Sequence, residues 1–354
     1  MTLPTETIGS IPRPPELLTA IEQFRSGKLS QDQLDGYYDA ALKDTIARLE
    51  ATGSPVISDG EQTKSSFATY PLVNLNNIAA DGISIPFEDG HTRQLPKLTS
   101  GPFKYGIHAG TYVKAAKRYA HNPIKQAVIS ASALSLLYPA EGMPDYSQTQ
   151  FLDDLVSETV SDIRSCFDAG AYRVQIDFTE GRLSVKLDNS KALLQHFIQL
   201  NNRVLAHFTP DERQRIGVHT CPGGDHDSTH SADVDYADLI PDLFQLNAAN
   251  FYMQLASEKQ PERVLAVIKN HIKPGQRIYV GVIDVINPDV EEPEQVRDRI
   301  LMAAEYIPVD QLGTTDDCGF SPFEDDTSTG RDTAFAKIKA RVIGTGMASK
   351  QLKC

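Results

Sequence analysis

His219 and Cys221 stand two residues apart in RIGVHTCPGG (215–224), where an apolar run gives way to a glycine turn. In an extended strand residues i and i+2 share a face, so the imidazole and the thiol project the same way. Alone, the pair also reads as a hydrogen-bonded histidine beside a buried thiol. Cys318, in TTDDCGF (314–320), closes what reads as the last strand. An imidazole and two thiolates brought together there would suit zinc, a borderline-soft ion, and three protein ligands leave one position for substrate. The other two of the four cysteines are placed differently: Cys166 lies in the helical pattern SETVSDIRSCFDAGA and Cys354 is the last residue. Their spacing fits no disulfide framework.

Those side chains need strands to aim them. Short β-rich runs at 54–61, 125–132, 172–178, 215–221, 250–257, 277–285 and 311–319 alternate with longer stretches whose apolar residues recur at i, i+3, i+4 and i+7. A weaker run at 103–116, FKYGIHAGTYVKAA, is the expected eighth strand. Eight such units favour an α/β fold of the (β/α)8 TIM-barrel type over a doubly wound sheet, because no glycine-rich phosphate turn follows the first strand. Helical patterns near 15–25 and 31–52 are expected as an N-terminal extension, and 71–103 as a loop insertion with a β-hairpin around GISIPFEDGHTRQL. No linker, repeat or low-complexity tract appears, so residues 1–354 read as one domain.

Bulk composition narrows the partners. Hydrophobic residues are 40% and charged residues 23%, as in a compact globular chain, and the net charge of −13 works against nucleic acid and anionic lipid. No run approaches the roughly 20 apolar residues of a membrane helix. MTLPTETIGS lacks the pattern of a secretory signal, so a cytoplasmic location is expected.

Several motifs in one order carry a resemblance. IGSIPRP (8–14), SDGEQTKSSF (58–67), VQIDFTEGRL (174–183), the HTC triplet, VGVIDVINPDVEE (280–292) and DCG together resemble the catalytic C-terminal barrel of cobalamin-independent methionine synthase. The resemblance covers nearly the whole chain. It implies zinc on His219, Cys221 and Cys318, the ammonium of homocysteine on Glu61 and Asp177, and its carboxylate on Ile8, Gly9 and Ser10. A small zwitterion needs just such acids for its amine and donors for its carboxylate.

Three departures shape the expectation. The family's acidic zinc ligand aligns with Gln254, a weaker and neutral ligand, with Glu258 nearby as a substitute. Its proton-donating histidine aligns with Ile286, followed by Asn287, leaving Asp284 as the retained group that relays a proton or supports the turn. The second, N-terminal barrel of the folate enzymes has no counterpart here, which implies the stand-alone core branch. The expected activity is therefore zinc-dependent methylation of homocysteine to methionine, the donor being methyl-folate, a methyl-corrinoid protein or another partner. The alternatives are alkylation of another thiol and an acceptor-binding subunit that works only with a partner protein. The segment 222–236, with His226, His230 and four aspartates, reads as a solvated polar loop, or else as a second metal or donor-docking site.

Overall fold

The computed structural model describes residues 2–354. One parallel sheet runs in the order Lys125–Ile129, Arg173–Asp177, Ile216–Thr220, Asn250–Met253, Arg277–Ile283 and Leu312–Asp316. A parallel bridge joins Ile57 to Ile124 at one edge, and another joins Thr5 to Thr314 at the opposite edge. The two added segments meet each other: the Ile11 amide donates to the Gly60 carbonyl at 3.0 Å and the Ser58 hydroxyl to the Gly9 carbonyl at 2.7 Å. Six strands and two bridged segments thus close an eight-stave barrel, the expected (β/α)8 architecture.

One stave lies elsewhere than the sequence suggests. Residues 103–116 form no strand; Gly110–Ala116 is a helix. The eighth stave is the segment around Thr5, so the helices Pro15–Arg25 and Gln31–Ala51 follow a barrel strand instead of preceding the barrel. The reason is chemical. TETIGS offers no run of apolar residues because its Glu6, 1% exposed, faces cations and phenols at the barrel base. Glu6 accepts hydrogen bonds from Tyr252 at 2.5 Å and Tyr279 at 3.1 Å and pairs with Arg173 at 3.0 Å. The Lys125 ammonium lies 3.8 Å from the Tyr252 ring centroid and donates to Gln175 at 2.6 Å.

Glycines make room for these large inward groups. A Cβ at Gly217 would lie 2.5 Å from the Tyr252 ring, and one at Gly313 would lie 2.7 Å from the Tyr279 ring. Outside the staves, the long helices start on serine capping boxes, Ser30 with Gln33 and Ser147 with Gln150, which satisfy amides that have no partner within the helix. Cys166 is buried on the Gln148–Asp168 helix.

The insertion forms two small antiparallel pairs, Ile78–Ala79 with Lys97–Leu98 and Ser84–Pro86 with Thr92–Gln94. The second pair is the expected hairpin, turning at Gly90 with φ +93°. Among the described residues, no helix is long and apolar enough to cross a membrane.

Because Glu6 neutralises the barrel base, Glu6→Ala should leave buried cations uncompensated and lower the unfolding free energy by about 3–5 kcal/mol in a urea titration. Ile83→Ala, at a side chain 45% exposed on the hairpin, should change it by less than about 0.5 kcal/mol.

Candidate metal centre and its cavity

His219, Cys221 and Cys318 converge at the mouth of the barrel. One donor atom from each lies within 4.8 Å of the others, and the two sulfurs are 3.0 Å apart with both thiols free. All three residues are buried. His219 pairs in register with Tyr252 on the next strand, and its Nδ1 donates to the Tyr252 carbonyl at 3.2 Å. That contact puts the proton on Nδ1 and leaves the Nε2 lone pair free; Nε2 is buried without any partner. The sulfurs behave as a pair. The hydrogen bond from Cys318, helped by nearby His219, holds the Cys221 thiol well below its ordinary value, while the same bond and burial push Cys318 up. A buried imidazole nitrogen with no partner beside two sulfurs sharing a proton is a donor set that fits a soft divalent ion.

Cys318 owes its position to its neighbour. Asp317 accepts the amides of Leu255 and Ala256 at 2.9 Å each and that of Ser257 at 2.8 Å, fixing the loop that follows the Asn250–Met253 strand. Its carboxylate passes through space that a side chain would fill: a Cβ at Gly281 would lie 1.9 Å from Asp317 Oδ1.

The expected fourth ligand is engaged elsewhere. The Gln254 amide oxygen accepts from Arg182 at 3.4 Å and its amide nitrogen donates to Ser257 at 2.7 Å. Glu258 pairs with the same Arg182 at 2.9 Å. Neither Gln254 nor Glu258 lines the cavity.

The cavity holds about 360 Å³, enough for a small amino acid and part of a second molecule. Ile8, Gly9 and Ser10 form one edge. Ser10 is clamped, its carbonyl accepting the Phe320 amide at 3.0 Å and its hydroxyl the Ser321 amide at 3.1 Å. The amides of Gly9 and Ser10 donate no hydrogen bond to any described residue. Acids face them. Glu61, held at φ +55°, lies so close that a Cβ on Gly9 would sit 3.5 Å from its Oε1. Burial pushes the Glu61 carboxyl up to about 7 against the opposing pull of Lys64. Asp177, whose Oδ1 accepts from Gln175 at 2.7 Å, is likewise raised by burial.

Lys64, the partner of the cavity acid Glu61, and two residues of the cavity wall, Thr179 and Glu180, carry no sequence signal. Lys64 already pairs with Glu61 at 3.2 Å and donates to the Ala127 carbonyl at 2.9 Å, so one of the two acids expected to hold an ammonium has a resident cation. Glu180 lines the wall beside Asp177. Thr179 and Glu180 lie at the turn from strand to helix, where neither period applies.

Asp284, the retained acid, does not line the cavity. Its Oδ1 accepts the amides of Ile286 at 3.0 Å and Asn287 at 3.3 Å, as a residue that shapes a turn does.

The segment 222–236 is only partly solvated. Asp225, Ser228, Thr229, His230 and Ser231 are buried, the first four in contact with the hairpin. Arg93 grips Asp225 through Nε at 2.6 Å and Nη2 at 3.0 Å, and His91 Nε2 meets the same carboxylate at 2.9 Å. His91, Asp225 and His226 also place donor atoms within 4.8 Å of one another, but Arg93 Nη2 donates to His226 Nε2 at 2.7 Å and fills the role of the cation.

A family model described as the cobalamin-independent synthase catalytic domain matches residues 3–333. The chain belongs to that family. It is 25% identical over 333 residues to a 5-methyltetrahydropteroyltriglutamate–homocysteine methyltransferase of Nitratidesulfovibrio vulgaris, with 91% of this chain and 39% of the relative covered. It therefore spans about two fifths of the length of that relative. A methionine synthase of Sulfurisphaera tokodaii is 23% identical over 351 residues and matches nearly end to end, with 99% of this chain and 94% of the relative covered. The fold is that of a B12-independent methionine synthase from Shewanella sp. W3-18-1 solved with selenomethionine: TM-score 0.78, 20% identity, coverage of 100% and 99%.

Asp317→Ala should release both the 254–257 loop and the turn carrying Cys318. The Zn²⁺ dissociation constant, read by competition with a chromogenic chelator, should rise about 10–100-fold. Cys166→Ser, away from the cluster, should leave it unchanged.

Proposed function

We propose that this chain, acting as one barrel over residues 1–354, transfers a methyl group to the thiol of homocysteine and forms methionine, with zinc held by His219, Cys221 and Cys318. The observation that carries this is the His219 Nε2 atom, buried without a partner beside two sulfurs 3.0 Å apart on a cavity lined with acids. Zinc bound there would lower the pKa of a coordinated thiol and supply a thiolate at neutral pH. The relatives named as homocysteine methyltransferase and methionine synthase, and the neighbour crystallised with selenomethionine, support the same acceptor and product.

The chain's own residues select and orient the acceptor. The Gly9 and Ser10 amides, lacking acceptors, receive its carboxylate, with Ile8 walling the same edge. Asp177 takes the ammonium. Glu61, shared with Lys64, contributes to the same field with less net charge. Holding the amino acid at both ends fixes where its side chain points, which converts an encounter into a positioned attack. The thiolate then attacks the methyl carbon and no bond to the enzyme forms. Methyl-folate and a methyl-corrinoid protein are the candidate donors. Asp284 acts by shaping the 284–287 turn, and Gln254, tied to Arg182, by supporting the site from outside the cavity.

The Glu61–Lys64 pair is the one feature that favours a thiol without an amine. Specificity decides between the readings. With zinc-loaded protein and methyl iodide as a surrogate donor, kcat/KM for homocysteine should exceed that for 4-mercaptobutyrate, its analogue without the amine, by at least about a hundredfold. Cys318→Ser should abolish the reaction and retain less than one zinc per chain by elemental analysis. Equal rates for the two thiols would point to the other acceptor class, and full activity in Cys318→Ser would remove the metal centre from the reaction.

A further inference from the structure

Glu180 is a buried acid on the cavity wall with half of its hydrogen-bonding capacity unused. It is 5% exposed. Its Oε1 accepts from the hydroxyls of Ser130, at 2.5 Å, and Ser132. Each hydroxyl is turned that way by a donor of its own: the Ala133 amide reaches Ser130 Oγ at 3.0 Å, and Asn201 Nδ2 reaches Ser132 Oγ at 2.7 Å. With two protons directed at Oε1, any proton that Glu180 carries belongs on Oε2. That atom is buried and has no partner. Buried polar atoms without partners are rare, and one on a residue that lines a cavity calls for a ligand.

Removing a methyl group from nitrogen leaves an anion of high energy unless the nitrogen is protonated as the bond breaks. We propose that Glu180 is the proton donor of the methyl transfer, delivering its Oε2 proton to the nitrogen that the methyl group leaves. This rests on the methyl-transfer reading above, with methyl-folate as the donor. The S–C bond forms from the sulfur lone pair, the C–N bond breaks with its electrons going to nitrogen, and the Glu180 proton completes the N–H bond. The proton that the acceptor thiol loses on ionising returns Glu180 to the acid form, so the cycle balances.

The electrostatic setting suits the task. Burial pushes the Glu180 carboxyl up to about 7, with the two serines pulling down and Asp177, the ionisable group facing it, pushing up. The cations of its own helix turn away, Arg182 to Glu258 and Lys186 to Asp233. A proton held near neutrality is available and can also be given up.

The test uses the zinc-loaded full chain with homocysteine and two donors, methyl-folate, whose leaving atom is nitrogen, and methyl iodide, whose iodide leaves unprotonated. Glu180→Gln should slow transfer from methyl-folate by roughly 10²–10⁴-fold and abolish the fall in rate as the pH rises through 7. Transfer from methyl iodide should fall far less. Infrared difference spectra of the unliganded protein should show a carboxylic acid C=O band that titrates near pH 7 and is missing in Glu180→Gln. Ser132→Ala keeps the acid but removes a donor to Oε1, and should move that titration upward by about half to one pH unit.

An unchanged methyl-folate rate or pH profile in Glu180→Gln overturns the assignment. So does the lack of the infrared band in the wild type, or a wild type that accepts methyl iodide but not methyl-folate. In each case the acceptor chemistry stands. Failure of the wild type with both donors removes the methyl-transfer reading itself, and this inference with it.

Discussion

The hydrogen bond from His219 Nδ1 to the Tyr252 carbonyl is the constraint on which the rest of the site depends. It joins adjacent staves in register and decides which imidazole nitrogen keeps its lone pair. With that ring fixed, i+2 alternation brings Cys221 to the same face, and the last stave must then bring Cys318 to meet them. A slip of one residue between these strands would turn His219 to the outside of the barrel and leave the two sulfurs without their nitrogen. Barrel closure through Thr5 and Thr314 guards against such a slip, since a closed ring fixes the register of every stave with that of its neighbours.

Charge is distributed unevenly along the barrel axis, and the imbalance has chemical meaning. At the base one carboxylate, Glu6, meets Arg173, with Lys125 close by, and two tyrosine hydroxyls complete its coordination. At the mouth Glu61, Asp177 and Glu180 line one cavity, and Lys64 is the cation paired with any of them. Burial raises the protonation of all three acids. The base is a settled ion cluster that holds the barrel together. The mouth is under-compensated, and an under-compensated acidic wall favours a cationic ligand or a proton.

How much of this was legible in the sequence depended on the kind of pattern involved. Seven staves, the Ile57 segment among them, showed as β-rich runs because their outward faces pack on helices. The Thr5 segment did not, since its inward residue is an acid serving an ion cluster assembled from Lys125, Arg173, Tyr252 and Tyr279, far apart in the chain. The convergence of His219, Cys221 and Cys318 was legible from their types and strand-end positions. The position of Gln254 in the motif order points to a ligand but carries no sign of Arg182, which donates to its amide oxygen. The Glu61–Lys64 pair spans three residues at a turn with positive φ, where neither helical nor strand periodicity predicts contact. Segment 222–236 reads as solvated for a similar reason: its aspartates look like surface acids until Arg93 arrives from a hairpin more than a hundred residues earlier.

That hairpin makes the cavity more than a depression in the barrel mouth. Ile85, Phe87 and Leu95 of the hairpin line the cavity together with the acids and give it a partly apolar roof. Excluding water strengthens every electrostatic contact beneath it. The roof is attached chiefly through one buried carboxylate, Asp225, which serves Arg93 and His91 together, while Glu88 and Asp89 bond to Thr229 and Ser228. Lifting the hairpin alone would leave Asp225 buried without its cations, an unfavourable state for an isolated charge. The hairpin and the 222–231 segment therefore move as one body or stay closed together. Because that segment begins beside Cys221, any opening of the cavity is mechanically continuous with the His219–Cys221–Cys318 cluster.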